Sequence, residues 1–285
     1  MLNREQFIER FSTGVHLLDG ATGTELRKAG MPADCCAEQW IAGHPGEIIR
    51  LQQAYAEAGS EIIYAPTFLA QPLALKKWGL EKKTEAINRE LVRLSRTAAL
   101  GCLVAGNLTT MRGSTDDPEA MRNAYRCQMK ALIAGDVDLI AAETLMDADE
   151  AKIILELAEE LSAPAVMISF TCRGDRLFSG EDLTETLRAA EEAGAAAVGI
   201  NCVPASAELP ELIGRLRGMT GLPLVCKPNA GYPVQGQYPV GIQEFTSLLL
   251  DCAGKGTNLI GGCCGTTPDY IRNIRRCPRQ EEHPD

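Results

Sequence analysis

Apolar residues along this chain gather into short unbroken runs rather than alternating with polar ones. Residues 15–19, 62–67, 102–107, 139–143, 165–170, 198–202, 224–228 and 259–262 each read as a strand. A run that is apolar at successive positions suits a strand covered on both faces, as in a parallel sheet packed between other layers. Between the runs, apolar positions recur at three- and four-residue intervals over 47–58, 83–100, 119–134, 148–161, 183–193, 206–219 and 242–253, which predicts helices. Three of these stop just before Gly59, Gly101 and Gly194, the residue type favoured immediately past a helix C-terminus. Eight strands therefore alternate with helices at roughly 36 residues per unit, the scale of a (β/α)₈ barrel. A doubly wound open sheet is the rival, but it seldom needs eight strands without a second domain. The expectation is one α/β TIM barrel over residues 1–277, with a frayed tail at 278–285.

A barrel prediction locates the chemistry, because such folds carry their active sites where strands end and βα loops begin. The predicted ends are Asp19, Thr67, Asn107, Glu143, Thr171, Cys202, Asn229 and the pair Cys263-Cys264. Carboxylates, carboxamides and thiols are thus expected on one rim.

Composition narrows the classes of function. The chain has 285 residues with 38 acidic against 28 basic, a formal net charge of −10, which disfavours phosphate backbones and anionic membrane surfaces as partners. No apolar run approaches the ~18 residues of a membrane span, and the polar start Met1-Leu2-Asn3-Arg4-Glu5 lacks a secretory core. A cytoplasmic protein binding neither nucleic acid nor membrane is expected, with oligomerisation left open. Eleven cysteines are then unlikely to form a disulfide framework, which leaves metal binding, catalysis or burial. Cys102, Cys127, Cys172, Cys226, Cys252 and Cys277 stand singly and are expected to be small buried residues. Cys35-Cys36 has no partner pair at finger-like spacing and takes no assignment.

Cys202 closes Gly199-Ile200-Asn201-Cys202 and the other two thiols lie in Gly261-Gly262-Cys263-Cys264-Gly265, at the ends of the sixth and eighth runs. Barrel closure would bring those ends together, so Cys202, Cys263 and Cys264 can converge on one zinc ion and leave its fourth position open. Three thiolates make that dication a poor Lewis acid, but an incoming thiol bound there would be held deprotonated. Alkyl transfer to sulfur is the reaction class this ligand set suggests. The histidines, His16, His44 and His283, are scattered and form no rival cluster, and Trp40 and Trp78 read as packing residues.

Asp19-Gly20-Ala21-Thr22-Gly23-Thr24-Glu25-Leu26, Gly-Ile-Asn-Cys and Gly-Gly-Cys-Cys-Gly-Thr, in that order, resemble the homocysteine S-methyltransferase family over nearly the whole chain. Lys227-Pro228-Asn229-Ala230-Gly231 looks most like the homocysteine-binding domain of cobalamin-dependent methionine synthase. The resemblance implies a zinc-dependent barrel that methylates homocysteine to methionine, with Cys202, Cys263 and Cys264 as ligands. It places Asn201 in the substrate site and Asn229 beside the metal, where its carboxamide could fill the fourth position until a thiol displaces it. Asp19 and Glu143 match positions that hold the amino-acid end of homocysteine, and Thr67 one that lines the pocket. Backbone N–H groups near Gly20 and Ala21 would suit the substrate carboxylate. The methyl donor implied is a methyl-corrinoid such as methylcobalamin, free or on a separate protein, or S-methylmethionine. Two stretches depart from the family pattern on the rim facing the donor: Ala65-Pro66-Thr67-Phe68 and Gly106-Asn107-Leu108-Thr109-Thr110. The alternatives are a corrinoid-linked methyltransferase of the same fold that demethylates a small compound, and a non-catalytic barrel that senses zinc or oxidants.

Overall fold

The computed structural model describes residues 1–99 and 101–277. Its strands in chain order are β1 (His16–Leu17), β2 (Ile62–Tyr64), β3 (Leu103–Thr109), β4 (Leu139–Leu145), β5 (Val166–Phe170), β6 (Cys172–Arg173), β7 (Arg176–Leu177), β8 (Ala197–Pro204), β9 (Leu224–Asn229) and β10 (Leu259–Ile260). All but the antiparallel β6–β7 pair form one eight-stranded sheet in the order β1-β10-β9-β8-β5-β4-β3-β2. Its pairs are parallel. The two ends of that order meet: Leu18 bridges Ile62, and Glu61 N donates to Leu17 O at 2.7 Å. The sheet closes on itself as a (β/α)₈ barrel.

All eight predicted runs are strands of this sheet. The reason they read as continuous is visible in the packing. Alternate residues of a strand face opposite sides, and here both sides are apolar. Leu18, Ile62, Ala105, Leu139, Ala141, Met167, Ala197, Val225 and Leu259 fill the barrel interior. Val104, Ile140, Ile168, Val198, Ile200, Leu224 and Ile260 pack outward against the helices.

The helices follow the predicted spans closely: Pro45–Ala58, Thr84–Ala98, Pro118–Ala134, Ala148–Glu160, Leu183–Glu192, Leu209–Arg217 and Ile242–Gly254. The expected start at residue 206 moves to Leu209, because Pro210 suits the first turn of a helix and not its interior. The expected helix end at Leu100 and the tail 278–285 lie outside the described residues.

Several elements were not predicted. Helix Arg4–Phe11 closes the N-terminal end of the barrel, with Phe7 and Phe11 inserted among the interior residues. Asn3 opens it with a reciprocal capping box to Gln6. Leu2 pins it to two strands, donating to Asp138 O and accepting from Ala165 N, both at 2.8 Å. The short helices Gly23–Lys28, Ala37–Gly43 and Pro72–Lys76, the 3₁₀ turn Glu81–Lys83, the last helix Pro268–Arg276 and the β6–β7 hairpin complete the additions among the described residues.

Two packing expectations fail. Cys127 lies on the outer face of helix Pro118–Ala134 and is exposed, and Trp78 is also exposed, with Lys77 over its ring. Cys172, Cys226 and Cys252 are buried as expected, and Cys102 and Cys277 are partly so.

Candidate active site

Two residues beyond the apolar interior the strands change character. Asn107 follows Ala105, Glu143 follows Ala141, Ser169 follows Met167, Asn201 follows Gly199 and Lys227 follows Val225, so the period-two geometry turns all five inward. Asp19, just past β1, joins them and accepts from Tyr64 N at 2.8 Å. The result is a buried polar layer lying toward the C-terminal rim.

Glu143 is clamped by amides. Asn107 Nδ2 donates to its Oε1 at 2.8 Å, and Asn201 Nδ2 reaches its Oε2 at 3.4 Å. Asn201 is held in turn: its Oδ1 accepts from Thr144 N at 2.7 Å and Ser169 Oγ at 2.9 Å. The Lys227 ammonium lies 3.0 Å from Asp19 Oδ1, 3.7 Å from Glu143 Oε2 and 3.5 Å from the centre of the Tyr64 ring. Burial alone would push that ammonium's pKa down, but Asp19 and then Glu143 outweigh it and keep the lysine charged. Burial pushes the Asp19 carboxyl up, and Lys227 and the Tyr64 N–H draw it back. Neither carboxylate caps a helix. The N-cap of Gly23–Lys28 is Thr22, and that of Ala148–Glu160 is Asp147.

The thiols come together on this rim. The sulfurs of Cys202, Cys263 and Cys264 all lie within 4.8 Å of one another, the one such cluster of potential metal ligands among the described residues. The backbone is bent to achieve this. Cys202 has φ 55° and Thr144 φ 60°, both in the left-handed region that non-glycine residues avoid. Each sits in a register shift, between Asn201 and Pro204 and between Ala142 and Leu145, and bulges of this kind re-aim side chains. Gly262 has no room for a Cβ against the Thr266 side chain, and Gly265 (φ 83°) admits the Tyr238 ring where a Cβ would stand. The thiol pair is anchored by Cys263 N to Pro228 O at 2.8 Å and Cys264 N to Asn229 Oδ1 at 3.0 Å.

The three sulfurs share their protons unequally. Hydrogen bonds from Cys202, then from Cys263, hold Cys264 far below the ordinary thiol range, at about 3, while Cys263 is raised by its bonds to Cys202 and Cys264 and by burial. Tyr238 also donates to Cys264. Three soft donors this close favour a shared cation that would displace their protons.

Other predicted residues take more structural places. The Thr67 hydroxyl is consumed by the Asn107 backbone, donating to its O and accepting from its N, both at 2.9 Å. Ala21 N donates to Thr266 Oγ1 at 3.1 Å, so that N–H is already engaged, and a Cβ on Gly20 would meet Tyr55 and Thr266. Asn229 turns its oxygen to Cys264 N and its amino end to Cys202 Sγ at 3.7 Å. Cys36 donates to Glu38 at 3.6 Å and Cys35 to Pro32 O at 3.2 Å, away from the cluster. The sequence places Asn107 on the rim without a specific role, and gives none to Lys227, Tyr64 or Tyr238. The signal for Lys227 was a charge inside a run otherwise read as buried, where lysine is rare unless paired.

Comparison with known proteins bears on the family and the fold. A sequence model of homocysteine S-methyltransferases matches residues 16–277. Methionine synthase from Mycobacterium leprae (strain TN) is 27% identical over 97% of this chain, which spans only 26% of that protein. The homocysteine methyltransferase MmuM from Escherichia coli superposes in its oxidized form with a TM-score of 0.81 at 28% identity, covering 92% of this chain and 95% of that one. Its metallated form gives 0.80 at 27%, covering 92% and 96%.

Proposed function

Because the chain belongs to the homocysteine S-methyltransferase family, we propose that it transfers a methyl group to the thiol of homocysteine, giving methionine. The observation that carries this reading is the stacking of two chemistries on one rim: a three-sulfur cluster above a buried acidic layer. A homocysteine molecule carries the complementary pair, a thiol at one end and an ammonium at the other.

Cys202, Cys263 and Cys264 would hold a zinc ion, which their number, softness and mutual approach suit. Bound there, the ion supplies a charge that keeps a substrate thiol deprotonated near neutral pH. Glu143 receives the ammonium through Oε2, while Asn107 and Asn201 fix the carboxylate so that the thiol end points toward the cysteines. Tyr238 donates to Cys264 and lessens the negative charge gathered on the sulfurs. In the transfer a carbon–sulfur bond forms, the donor's bond to methyl breaks with its electron pair leaving on the donor, and the thiol proton passes to solvent.

The donor we propose is a methyl-corrinoid, free or on a separate protein, or S-methylmethionine. An oxidant-sensing barrel would explain the thiols but would have no use for the amide-clamped Glu143. Purified zinc-loaded protein with homocysteine should form methionine from at least one of methylcobalamin and S-methylmethionine. Methionine from neither, nor from a methyl-corrinoid carried on a corrinoid protein, with zinc bound and the protein folded, would overturn this function.

A further inference from the structure

We infer that Lys227 is a positioning residue that takes Asp19 out of substrate binding, leaving Glu143 as the sole receptor for the ammonium group of the acceptor. The inference rests on the acceptor being an amino-acid thiol, as proposed above, and deepens that reading.

The two carboxylates of the layer are not equivalent. Asp19 is 1% exposed and both its oxygens are engaged at short range, Oδ1 by the Lys227 ammonium at 3.0 Å and Oδ2 by Tyr64 N at 2.8 Å. Glu143 is 8% exposed, and its Oε2 has only two long contacts, Asn201 at 3.4 Å and Lys227 at 3.7 Å. That oxygen is the under-coordinated acceptor of the layer. The lysine itself is 3% exposed, and its three N–H directions are accounted for by Asp19, Glu143 and the face of Tyr64. It therefore has nothing to offer a substrate carboxylate and serves as a permanent internal counter-ion.

Charge counting gives this division its consequence. Two buried carboxylates and one ammonium leave the layer with one net negative charge, which one substrate cation would balance. Without Lys227 the layer would hold two competing seats for that cation, and an ammonium drawn to Asp19 would carry the thiol with it. Lys227 fixes the choice by filling the Asp19 seat in advance. Selectivity for amino-acid thiols over thiols lacking the amino group then resides at Glu143 alone.

The test compares homocysteine with its des-amino analogue, 4-sulfanylbutanoate, by calorimetric titration of zinc-supplemented protein, with methyl transfer followed in parallel. The wild type should prefer homocysteine. Lys227→Met/Asp19→Asn removes the internal pair while keeping the net charge, so whatever the loss in absolute affinity, the preference should stay within about threefold of wild type. Glu143→Gln should cut the preference on the order of 100-fold, because it takes the charge from the one receptor. Adding Lys227→Met to Glu143→Gln vacates the Asp19 seat and should restore about tenfold of the lost preference, which a purely structural ion pair would not do. If the double variant lost the preference as fully as Glu143→Gln, or if Glu143→Gln kept it, the inference would be wrong. Should Lys227→Met/Asp19→Asn fail to fold, the comparison of Glu143→Gln with and without Lys227→Met decides. A wild type that binds both thiols equally or neither also overturns it. A wild type that prefers homocysteine yet forms no methionine would instead overturn the proposed function and leave the inference standing.

Discussion

Three sulfurs within 4.8 Å of one another are a costly arrangement for a chain to maintain. Fully ionised they would repel, and fully protonated they would waste a backbone bent to φ 55° at Cys202, a conformation worth of order 1 kcal/mol or more of strain. Mutual hydrogen bonding eases the conflict in part, drawing the Cys264 thiol down while Cys263 is pushed up. A dication that displaces the thiol protons would resolve the rest, so each cysteine should be needed for metal affinity and none for the fold. Cys263→Ala is expected to reduce bound zinc at least tenfold while leaving the circular dichroism spectrum unchanged; elemental analysis of anaerobically purified protein checks this. The trio was legible in the sequence because a barrel forces the ends of its sixth and eighth strands onto one rim, and glycines flank both thiol segments. Lys227 was not assigned a role, because the partners that make it meaningful, Asp19 and Glu143, are 208 residues away and on a different strand respectively. The hydrogen bonding of Thr67 was not legible for a related reason. A hydroxyl at a strand end can face the pocket or bond the neighbouring strand, and only the register with Asn107 decides.

At the scale of elements, the barrel's two ends are built differently, and the N-terminal end carries stability without chemistry. Phe11 is fully buried in the barrel interior, so Phe11→Ala should cost about 3–5 kcal/mol and be read as a lower urea midpoint, with metal content unaltered. Nearby, Asp138 links β3, β4 and the N-terminus. Its carboxylate accepts from Val104 N at 2.8 Å and Arg96 Nη1 at 2.6 Å, and the terminal ammonium lies at 3.7 Å. Burial would raise its pKa, but Arg96 and then Val104 N–H outweigh that and hold it below the usual carboxylate range. A depressed carboxylate contributes stability that is fully present above its unfolded pKa, about 3.9, and is lost as pH falls through the folded value. Asp138→Asn should therefore destabilise by about 1–2 kcal/mol at pH 7. The gap from wild type should close as the pH drops below about 4; urea unfolding across that range measures both, and a pH-independent gap would refute the assignment. The strands were legible because both their faces are apolar. Helix Arg4–Phe11 was not, since two phenylalanines among six other residues carry too little periodic signal, and the β6–β7 hairpin has strands of only two residues each.

For the molecule as a whole, the question is whether the proposed metal would hold the protein together or only equip it. Small zinc domains fold on their metal because they lack a core. Here the core is complete without it. Eight strands close through hydrogen bonds at every junction, the interior is filled from Phe7 and Phe11 up to the polar layer, and the helices cover the outer face. The thiols lie above all of this, on loops and strand ends, where the chain's own hydrogen bonds from Cys263 N and Cys264 N already set the turn. No helix among the described residues is long and apolar enough to cross a membrane, so the barrel takes no support from one in these residues. Metal removal should then act only through binding linkage. At a zinc concentration near a thousand times Kd that linkage is about 4 kcal/mol, which for a chain of this size corresponds to a melting shift of roughly 5–10 °C. Dialysis against a strong chelator should lower the melting temperature by that amount and leave the far-ultraviolet spectrum at 25 °C unchanged. Restoring zinc should recover both the melting temperature and the ability to bind homocysteine. Loss of the helical spectrum on chelation would instead mean that the thiol rim is part of the scaffold, and that the bent backbone at Cys202 is held by the ion rather than prepared for it.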